Sequence, residues 1–270
     1  MALVSEMIYV AGIDIGAAFS KAVILGDGAI VAYHVMPSGK NYRETAQEVI
    51  KAVLNKAGLG MQDITLALST GYGAANVPYA RQQMTEISCQ ARGINHLFPS
   101  ARTVIDIGGQ STKIIKMDEA GRAMDFVVSE KCAAGSGRFL QVIARVLGVP
   151  LEEIGPLSLQ AKKVVKFTTS CAVFTESEAI SRVAEGEKKE DILAGVHAAI
   201  ATKVSNLVDR ARKENDCVIT GGGAKDIGLV KNVEENIACH LLVPQEPQIT
   251  AALGAAIIAW DRVQKSAGAR

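Results

Sequence analysis

The chain has 270 residues, with 29 lysines and arginines against 28 aspartates and glutamates, a formal net charge of +1 and 49 % hydrophobic residues. This length is sufficient for one large domain or two domains of ordinary size, with a substantial buried core. The chain has no basic block and only 4 % aromatic residues, which argues against a nucleic-acid-binding surface.

Export and membrane insertion are not expected. Residues 1–12 lack a basic region and carry Glu6 among apolar residues, so they make a poor signal peptide. The longest apolar stretch, residues 251–260, is too short to span a bilayer. We therefore expect a cytoplasmic protein without a membrane or nucleic-acid partner. The odd count of five cysteines argues against a disulfide framework. The absence of a C-x-x-C pair argues against a metal site closed within one chain by closely spaced cysteines.

The first part of the chain predicts strands, a hairpin and a helix. Residues 8–13 are an apolar, β-rich segment that leads into Asp14-Ile15-Gly16. Residues 21–25 and 30–35 are predicted strands joined by a tight turn at 26–28. An amphipathic helix is predicted over residues 42–57, with a stop at Gly58, and residues 64–68 form a further predicted strand.

The rest of the chain repeats the order strand, hairpin, strand before a largely helical region. Strands are predicted over residues 103–107, 113–117 and 124–128, with shorter strand-like segments at 164–168 and 218–220. Helical periodicity covers residues 138–147, 174–184, 191–213 and 250–264. This order of elements predicts a mixed α/β fold with two layered halves.

A duplication is the most informative feature of the sequence. Ile13-Asp14-Ile15-Gly16 returns as Ile105-Asp106-Ile107-Gly108, and each copy has a lysine seven positions after its aspartate, Lys21 and Lys113. Two copies in the same register predict two related half-domains, each with a carboxylate and a glycine turn at a strand end. Together they predict a place for a polyphosphate and its metal.

The candidate nucleotide site is built on these turns. Their backbone N–H groups suit phosphate oxygens, and Asp14 and Asp106 are expected to hold Mg²⁺ directly or through water. Lys21 can neutralise phosphate charge, and Gln110 is a candidate for orienting the attacking water. A single glycine cluster is more often only a turn, and no P-loop is present. The other candidate nucleotide-binding residues are Gly16, Ala17, Ala18, Gly108, Gly109, Gly135, Ser136, Gly137, Gly221, Gly222 and Gly223.

This constellation resembles the acetate and sugar kinase, Hsp70 and actin superfamily. The resemblance implies two ribonuclease H-like domains closing over ATP in a cleft between them, which we place at residues 1–100 plus 250–270 and at residues 101–249. One departure is Ala17-Ala18, where the superfamily often has a hydroxyl residue after the glycine. Its loss weakens one phosphate contact, although backbone N–H groups can still serve.

Two cysteines share a context. Cys132 lies in Lys-Cys-Ala-Ala-Gly-Ser-Gly-Arg-Phe-Leu, and Cys171 lies in Thr-Thr-Ser-Cys-Ala-Val-Phe-Thr-Glu-Ser-Glu. Each is placed where a strand is predicted to give way to a helix, whose positive dipole end favours a thiolate. The alternative is that both are small buried residues, as free cysteines usually are. Cys89, Cys217 and Cys239 lack such a setting and are interpreted as structural.

With these segments the chain resembles the activator (ATPase) component of 2-hydroxyacyl-CoA dehydratases, a family that also covers ATPase subunits of benzoyl-CoA reductases and reductases of double-cubane cluster proteins. The resemblance also runs through residues 69–73 and 83–89. It implies a homodimer bridged by one [4Fe–4S] cluster, whose four thiolates are Cys132 and Cys171 of each subunit. It further implies an ATPase that passes a low-potential electron to a partner iron–sulfur dehydratase or reductase, with ferredoxin or flavodoxin as electron donor.

Two alternatives remain open. A small-molecule kinase of the same superfamily needs a catalytic carboxylate and a second substrate pocket, and the sequence assigns neither. An actin-like protein predicts nucleotide-dependent assembly without iron. Both alternatives leave the paired cysteine segments unexplained.

Overall fold

The structure is a computed structural model that describes residues 7–129, 136–167 and 172–268. The strands in these ranges are β1 (Tyr9–Ile15), β2 (Phe19–Gly26), β3 (Ala29–Pro37), β4 (Ile64–Thr70), β5 (Gln82–Gln83), β6 (Thr103–Ile107), β7 (Thr112–Met117), β8 (Ala123–Val128), β9 (Cys217–Thr220) and β10 (Leu241–Leu242). The α-helices are α1 (Tyr42–Ala57), α2 (Glu86–Leu97), α3 (Gly137–Leu147), α4 (Ile154–Ser158), α5 (Ala172–Ala184), α6 (Lys189–Ala211), α7 (Ile227–Ile237) and α8 (Thr250–Gly268). None of the described helices is long and apolar enough to cross a bilayer.

The two sheets have the same topology. The first has the strand order β3-β2-β1-β4-β5 and the second has the order β10-β9-β6-β7-β8, which is the same order read from the other edge. In each sheet the central strand pairs antiparallel with the next strand in the chain and parallel with a later one. The prediction of a mixed α/β fold with two related halves is therefore confirmed.

The chain divides into two compact units. Unit 1 contains the residues up to Pro99, the turn Glu119–Ala123 and the residues from Gln248 onward; unit 2 contains Ser100–Asp118 and Met124–Pro247. Within unit 1, Arg92 Nη1 donates to Ala120 O over 2.7 Å.

In unit 1 the alternation of side chains along the sheet builds two cores. Val10, Val23 and Leu68 point to one face, where they pack with Cys89 of α2 and the alanine-rich face of α8. Ile13 and Ile15 belong to the opposite face, which packs against α1. Because both faces are covered, β1 is buried almost throughout its length, as expected for the central strand of a sheet with helices on both sides.

Unit 2 has one large core. Ile105 and Ile107 of β6 and Ile219 of β9 pack with apolar residues from α3, α6 and α7. The predicted helix over 138–147 matches α3, and the predicted helix over 191–213 lies within two residues of α6 at each end. The end of β6 in this sheet carries the second aspartate turn.

The prediction of a strand over residues 164–168 is wrong for the residues that the structure describes. Residues 164–167 are irregular, because they are tied to α6 and not to a neighbouring strand. Asp191 Oδ1 accepts hydrogen bonds from the backbone N–H groups of Lys162 (2.8 Å) and Lys163 (3.1 Å). Val165 N in turn donates to Asp191 O over 3.2 Å.

These bonds give Asp191 a pH-dependent role in stability. The hydrogen bond from Lys163 lowers the pKa of the Asp191 carboxyl against the opposing effect of burial. The stabilisation is therefore present above the ordinary pKa of 3.8 and lost as the pH falls below it. We expect Asp191→Asn to lower the midpoint of denaturant unfolding at pH 7, with a smaller difference from the wild type near pH 3. Glu190→Gln, in the same helix turn, is the control, and a difference for Asp191→Asn that does not vary with pH contradicts this role.

Candidate functional site

The first aspartate is held by its strand register. Asp14 lies opposite Lys21 in the antiparallel pair of β1 and β2, and opposite Thr70 in the parallel pair of β1 and β4. Its side chain is 5 % exposed, and its Oδ2 accepts a hydrogen bond from Lys21 Nζ over 2.9 Å. The seven-residue spacing in the sequence thus follows from the register of a hairpin whose turn is residues 16–18.

The turn after Asp14 is held by hydrogen bonds from Ser38, the residue that follows β3. Ser38 N donates to Ala18 O over 2.9 Å, and Ser38 Oγ donates to Gly16 O over 2.6 Å. A second hydroxyl, Ser20 Oγ, lies 2.7 Å from Ser38 Oγ. The turn lacks a hydroxyl side chain at Ala17 and Ala18, but two serine hydroxyls lie against its base.

The second aspartate repeats this geometry within unit 2. Asp106 lies opposite Lys113 in the pair of β6 and β7, and opposite Thr220 in the parallel pair of β6 and β9. Its side chain is 2 % exposed, and its Oδ2 is 3.2 Å from Lys113 Nζ. Gly108 N closes the turn by donating to Ser111 O over 3.0 Å. Each unit therefore presents a buried carboxylate paired with a lysine at the end of its central strand.

A glycine from the neighbouring parallel strand lies against each aspartate. Gly71 follows β4 with φ +87°, and a Cβ atom there would overlap Asp14 Oδ1. Gly221 follows β9 with φ +81°, and its Cβ would lie 2.5 Å from Asp106 Oδ1. Positive φ and this lack of space both require glycine. The sequence Thr-Gly-x-Gly, at residues 70–73 and 220–223, is thus a second repeated motif.

The loop after Asp106 is bonded to the start of α3. Gly137 N donates to Gly108 O over 2.8 Å, and Arg138 N donates to Gly109 O over 3.2 Å. Ser136, the residue before the helix, is buried. The backbone N–H groups of Gly137 and Arg138 therefore donate to carbonyl groups of the loop. The expected contact of Gly137 with phosphate stays a prediction.

The other candidate residues of unit 2 surround the same strand end or lie outside the described ranges. Gln110 is exposed at the tip of the loop. Gly222 begins a short 3-10 turn, Gly222–Lys225, in which Gly223 is buried. Gly135 and the two cysteines, Cys132 and Cys171, lie outside the residues that the structure describes. The nucleotide contact assigned to Gly135 stays a prediction. The assignment of Cys132 and Cys171 as cluster ligands also stays a prediction.

The structure also brings in residues that sequence reasoning did not assign to the site. Ser38 reaches the first turn from 22 positions beyond Gly16 in the chain, and no local pattern marks it. Thr70, Gly71 and Thr220 were recognisable in principle, because the repeated Thr-Gly-x-Gly follows a predicted strand in both halves. Thr220 Oγ1 donates to Pro247 O over 2.8 Å, which fixes the end of β9.

A comparison with known protein families agrees with this geometry. The model of the BadF/BadG/BcrA/BcrD ATPase family matches residues 11–259. The chain belongs to the BadF/BadG/BcrA/BcrD ATPase family. Both strand-end aspartates, both Thr-Gly-x-Gly segments and the loop joined to α3 fall within the matched residues.

Relatives in this ATPase family match over nearly their whole length. The chain is 42 % identical to a 2-hydroxyisocaproyl-CoA dehydratase activator of Clostridioides difficile, covering 96 % of this chain and 97 % of the relative. It is 43 % identical to an activator of lactoyl-CoA dehydratase of Anaerotignum propionicum, covering 95 % and 99 %. A solved structure of the activator of the 2-hydroxyisocaproyl-CoA dehydratase from Clostridium difficile, with bound ADPNP, has a TM-score of 0.94 and 41 % identity, covering 97 % of this chain and 98 % of that one.

Proposed function

We propose that this family member is an ATP-dependent activator, an ATPase that delivers a low-potential electron to a partner iron–sulfur enzyme of the 2-hydroxyacyl-CoA dehydratase or double-cubane type. The observation that carries the proposal is the strand-end site built twice, with Asp14 paired to Lys21 and Asp106 paired to Lys113, in a chain that matches dehydratase activators along its length. That length of match favours an activator over a small-molecule kinase or an actin-like assembly protein.

ATP or ADP is the proposed nucleotide, and the aspartate turn of each unit is a proposed binding segment. The support is chemical: each turn is a backbone loop at a strand end, and each has a lysine to offset phosphate charge. A related solved activator carries ADPNP. In this proposal Gly16, Ala17 and Ala18 serve through their backbone, as do the equivalent loop at residues 108–110 and the glycines at 221–223.

Mg²⁺ fits the donor set of the two turns. Carboxylate oxygens are the ligands that a small hard cation prefers, and both aspartates are buried at strand ends with their positions set by cross-strand pairs. We propose that Asp14 and Asp106 hold Mg²⁺, directly or through water, and that it would neutralise phosphate charge during hydrolysis. Gln110, exposed beside the second turn, is proposed to orient the attacking water.

Cys132 and Cys171 are proposed as the ligands of one [4Fe–4S] cluster shared by two subunits. The support is their matched sequence context and the count of thiolates, since two chains with two thiols each supply the four that such a cluster takes. The cluster would supply one-electron transfer. Ferredoxin or flavodoxin is the proposed electron donor, and the partner dehydratase or reductase is the acceptor.

The bonds between the Asp106 loop and α3 suggest how nucleotide state reaches the cysteine segment. Gly108 and Gly109 accept hydrogen bonds from the first two residues of α3, and Cys132 precedes Gly137 by five positions in the chain. A change in the loop on ATP binding or hydrolysis is therefore transmitted to the helix that follows Cys132. The shift in the equilibrium between the two conformations is limited by the difference in their affinity for the nucleotide.

Anaerobic purification tests the proposal. We expect a brown dimer with about four irons per two chains, and loss of iron and colour in Cys132→Ser and Cys171→Ser with ATP binding retained. Cys89→Ser is the matched control, because burial raises the pKa of the Cys89 thiol to about 12 and keeps it from acting as a thiolate. A colourless wild-type protein, or iron retained in both cysteine variants, contradicts the assignment.

A further inference from the structure

Cys217 and Cys239 lie together at one edge of the second sheet. Cys217 begins β9, and its partner in the parallel pair with β10 is Leu241, two residues after Cys239. The two thiols share an acceptor: Asn215 Oδ1 is 3.8 Å from Cys217 Sγ and 3.5 Å from Cys239 Sγ.

The two thiols differ in their access to solvent. Cys217 is 1 % exposed and belongs to the core of unit 2, whereas Cys239 is partly exposed and packs against that core from outside. A small oxidant therefore meets Cys239 first. Once Cys239 is modified, the thiol beside it is Cys217.

A metal site is not the better interpretation of this pair. Zinc and similar ions take three or four protein ligands, and the described residues contain no group of three or more His, Cys, Asp or Glu side chains placed to hold a metal. His240, next to Cys239, has its Nδ1 2.7 Å from Glu234 Oε1. The arrangement is a pair of thiols sharing one amide oxygen, which suits a bond between the two sulfurs.

We propose that Cys217 and Cys239 form a reversible disulfide when the protein meets a peroxide. In the first step the Cys239 thiol reduces one peroxide molecule, giving the Cys239 sulfenic acid and, with hydrogen peroxide, one water. The Cys217 thiol then attacks the Cys239 sulfur, and a second water leaves as the S–S bond forms. The two thiols lose two electrons and two protons, and a dithiol or two monothiols restore them.

The order of the two steps follows from chemistry at Cys217. Burial, with a further contribution from the Cys239 thiol, raises the pKa of Cys217 to about 12, so Cys217 is a thiol at neutral pH and a poor first nucleophile. The proposed disulfide encloses α7 and ties the two-residue strand β10 to β9. Cys217 and Thr220 are the two ends of β9, about 10 Å apart along an extended strand, so the crosslink forms away from the Asp106 turn.

Peptide mapping of the oxidised full-length protein tests this inference independently of the cluster. The anaerobically purified protein is treated with stoichiometric hydrogen peroxide, alkylated in denaturant and digested with trypsin, which places Cys217 in residues 214–225 and Cys239 in residues 232–262. We expect these two peptides to be joined, and the joined species to disappear on reduction with dithiothreitol. Cys89→Ser, which removes a buried thiol elsewhere, should give the same yield.

Two variants identify the order of the steps. Cys217→Ser should leave Cys239 as a sulfenic or sulfinic acid, and Cys239→Ser should leave Cys217 available for alkylation. The inference is overturned if wild-type Cys217 and Cys239 are recovered as separate alkylated peptides, if Cys239 is over-oxidised while Cys217 stays a free thiol, or if either is joined to Cys132 or Cys171. The linkages are scored separately from the iron content, so failure of this inference and failure of the proposed cluster are distinguishable results.

Discussion

Asp106→Asn should lower the ATPase rate by about 10²–10³-fold, and Asp14→Asn should have a similar effect. Each substitution keeps the size and one acceptor oxygen of the side chain but removes the charge that holds Mg²⁺ in our proposal. It also removes the carboxylate that pairs with the cross-strand lysine, Lys113 or Lys21. The lysine's positive charge then repels the cation at the position where it is needed.

The measurement is steady-state ATP hydrolysis as a function of Mg²⁺ concentration. We expect higher Mg²⁺ to restore part of the rate in the Asp106→Asn variant, because a weakened site still binds at higher concentration. Breaking a buried ion pair also costs about 3–5 kcal/mol when one charge is left alone. The rate must therefore be scaled to the folded fraction, measured by circular dichroism in the same buffer.

The matched control for the aspartate variants is Asp261→Asn. Asp261 is also an aspartate paired with a basic side chain, with Oδ2 2.5 Å from Arg92 Nη2, but it is half-exposed and lies on α8, outside both aspartate turns. We expect its ATPase rate to stay close to that of the wild type. If Asp106→Asn hydrolyses ATP as fast as Asp261→Asn, Asp106 does not have the role proposed here.

Local spacing made much of this site predictable. The hairpin register sets Lys21 opposite Asp14 and Lys113 opposite Asp106, so a lysine seven residues after an aspartate is the sequence trace of a cross-strand pair. The near-continuous apolar runs before the aspartates likewise predicted buried strands. Features determined by residues close in sequence could be inferred before the fold was known.

Features that depend on distant contacts could not be inferred. Ser38 supports the first turn only because β3 returns alongside β2, and Gly137 meets Gly108 only because α3 folds back on the second loop. The prediction of a strand at residues 164–168 is wrong, in the residues that the structure describes, for the same reason. Val164 and Val165 favour a strand by propensity. The carboxylate of Asp191 in α6, however, accepts hydrogen bonds from the backbone N–H groups of Lys162 and Lys163. These tertiary contacts override the local preference.

We expect Gly221→Ala to disrupt the second aspartate turn more than the same substitution does at a glycine with open space around it. Its φ of +81° and ψ of −178° lie in a region that is essentially restricted to glycine, and forcing another residue there costs about 1–3 kcal/mol. The added Cβ would also lie 2.5 Å from both Asp106 Oδ1 and Ile107 O. Asp106 must move to make room, so we expect ATPase activity to fall along with the free energy of unfolding.

Gly58→Ala separates the backbone cost of these substitutions from their effect on the aspartate. Gly58 ends α1 with φ +68° and ψ +28°, a left-handed conformation that costs other residues about 1–2 kcal/mol, and its added Cβ would meet nothing within 4 Å. We expect Gly58→Ala to lower the unfolding free energy without changing kcat. Gly71→Ala, whose Cβ would overlap Asp14 Oδ1, should behave like Gly221→Ala. If Gly71→Ala and Gly221→Ala both keep the wild-type kcat, the two aspartates do not need a fixed position. That result would contradict the proposed nucleotide site, which depends on the cross-strand positions of both carboxylates.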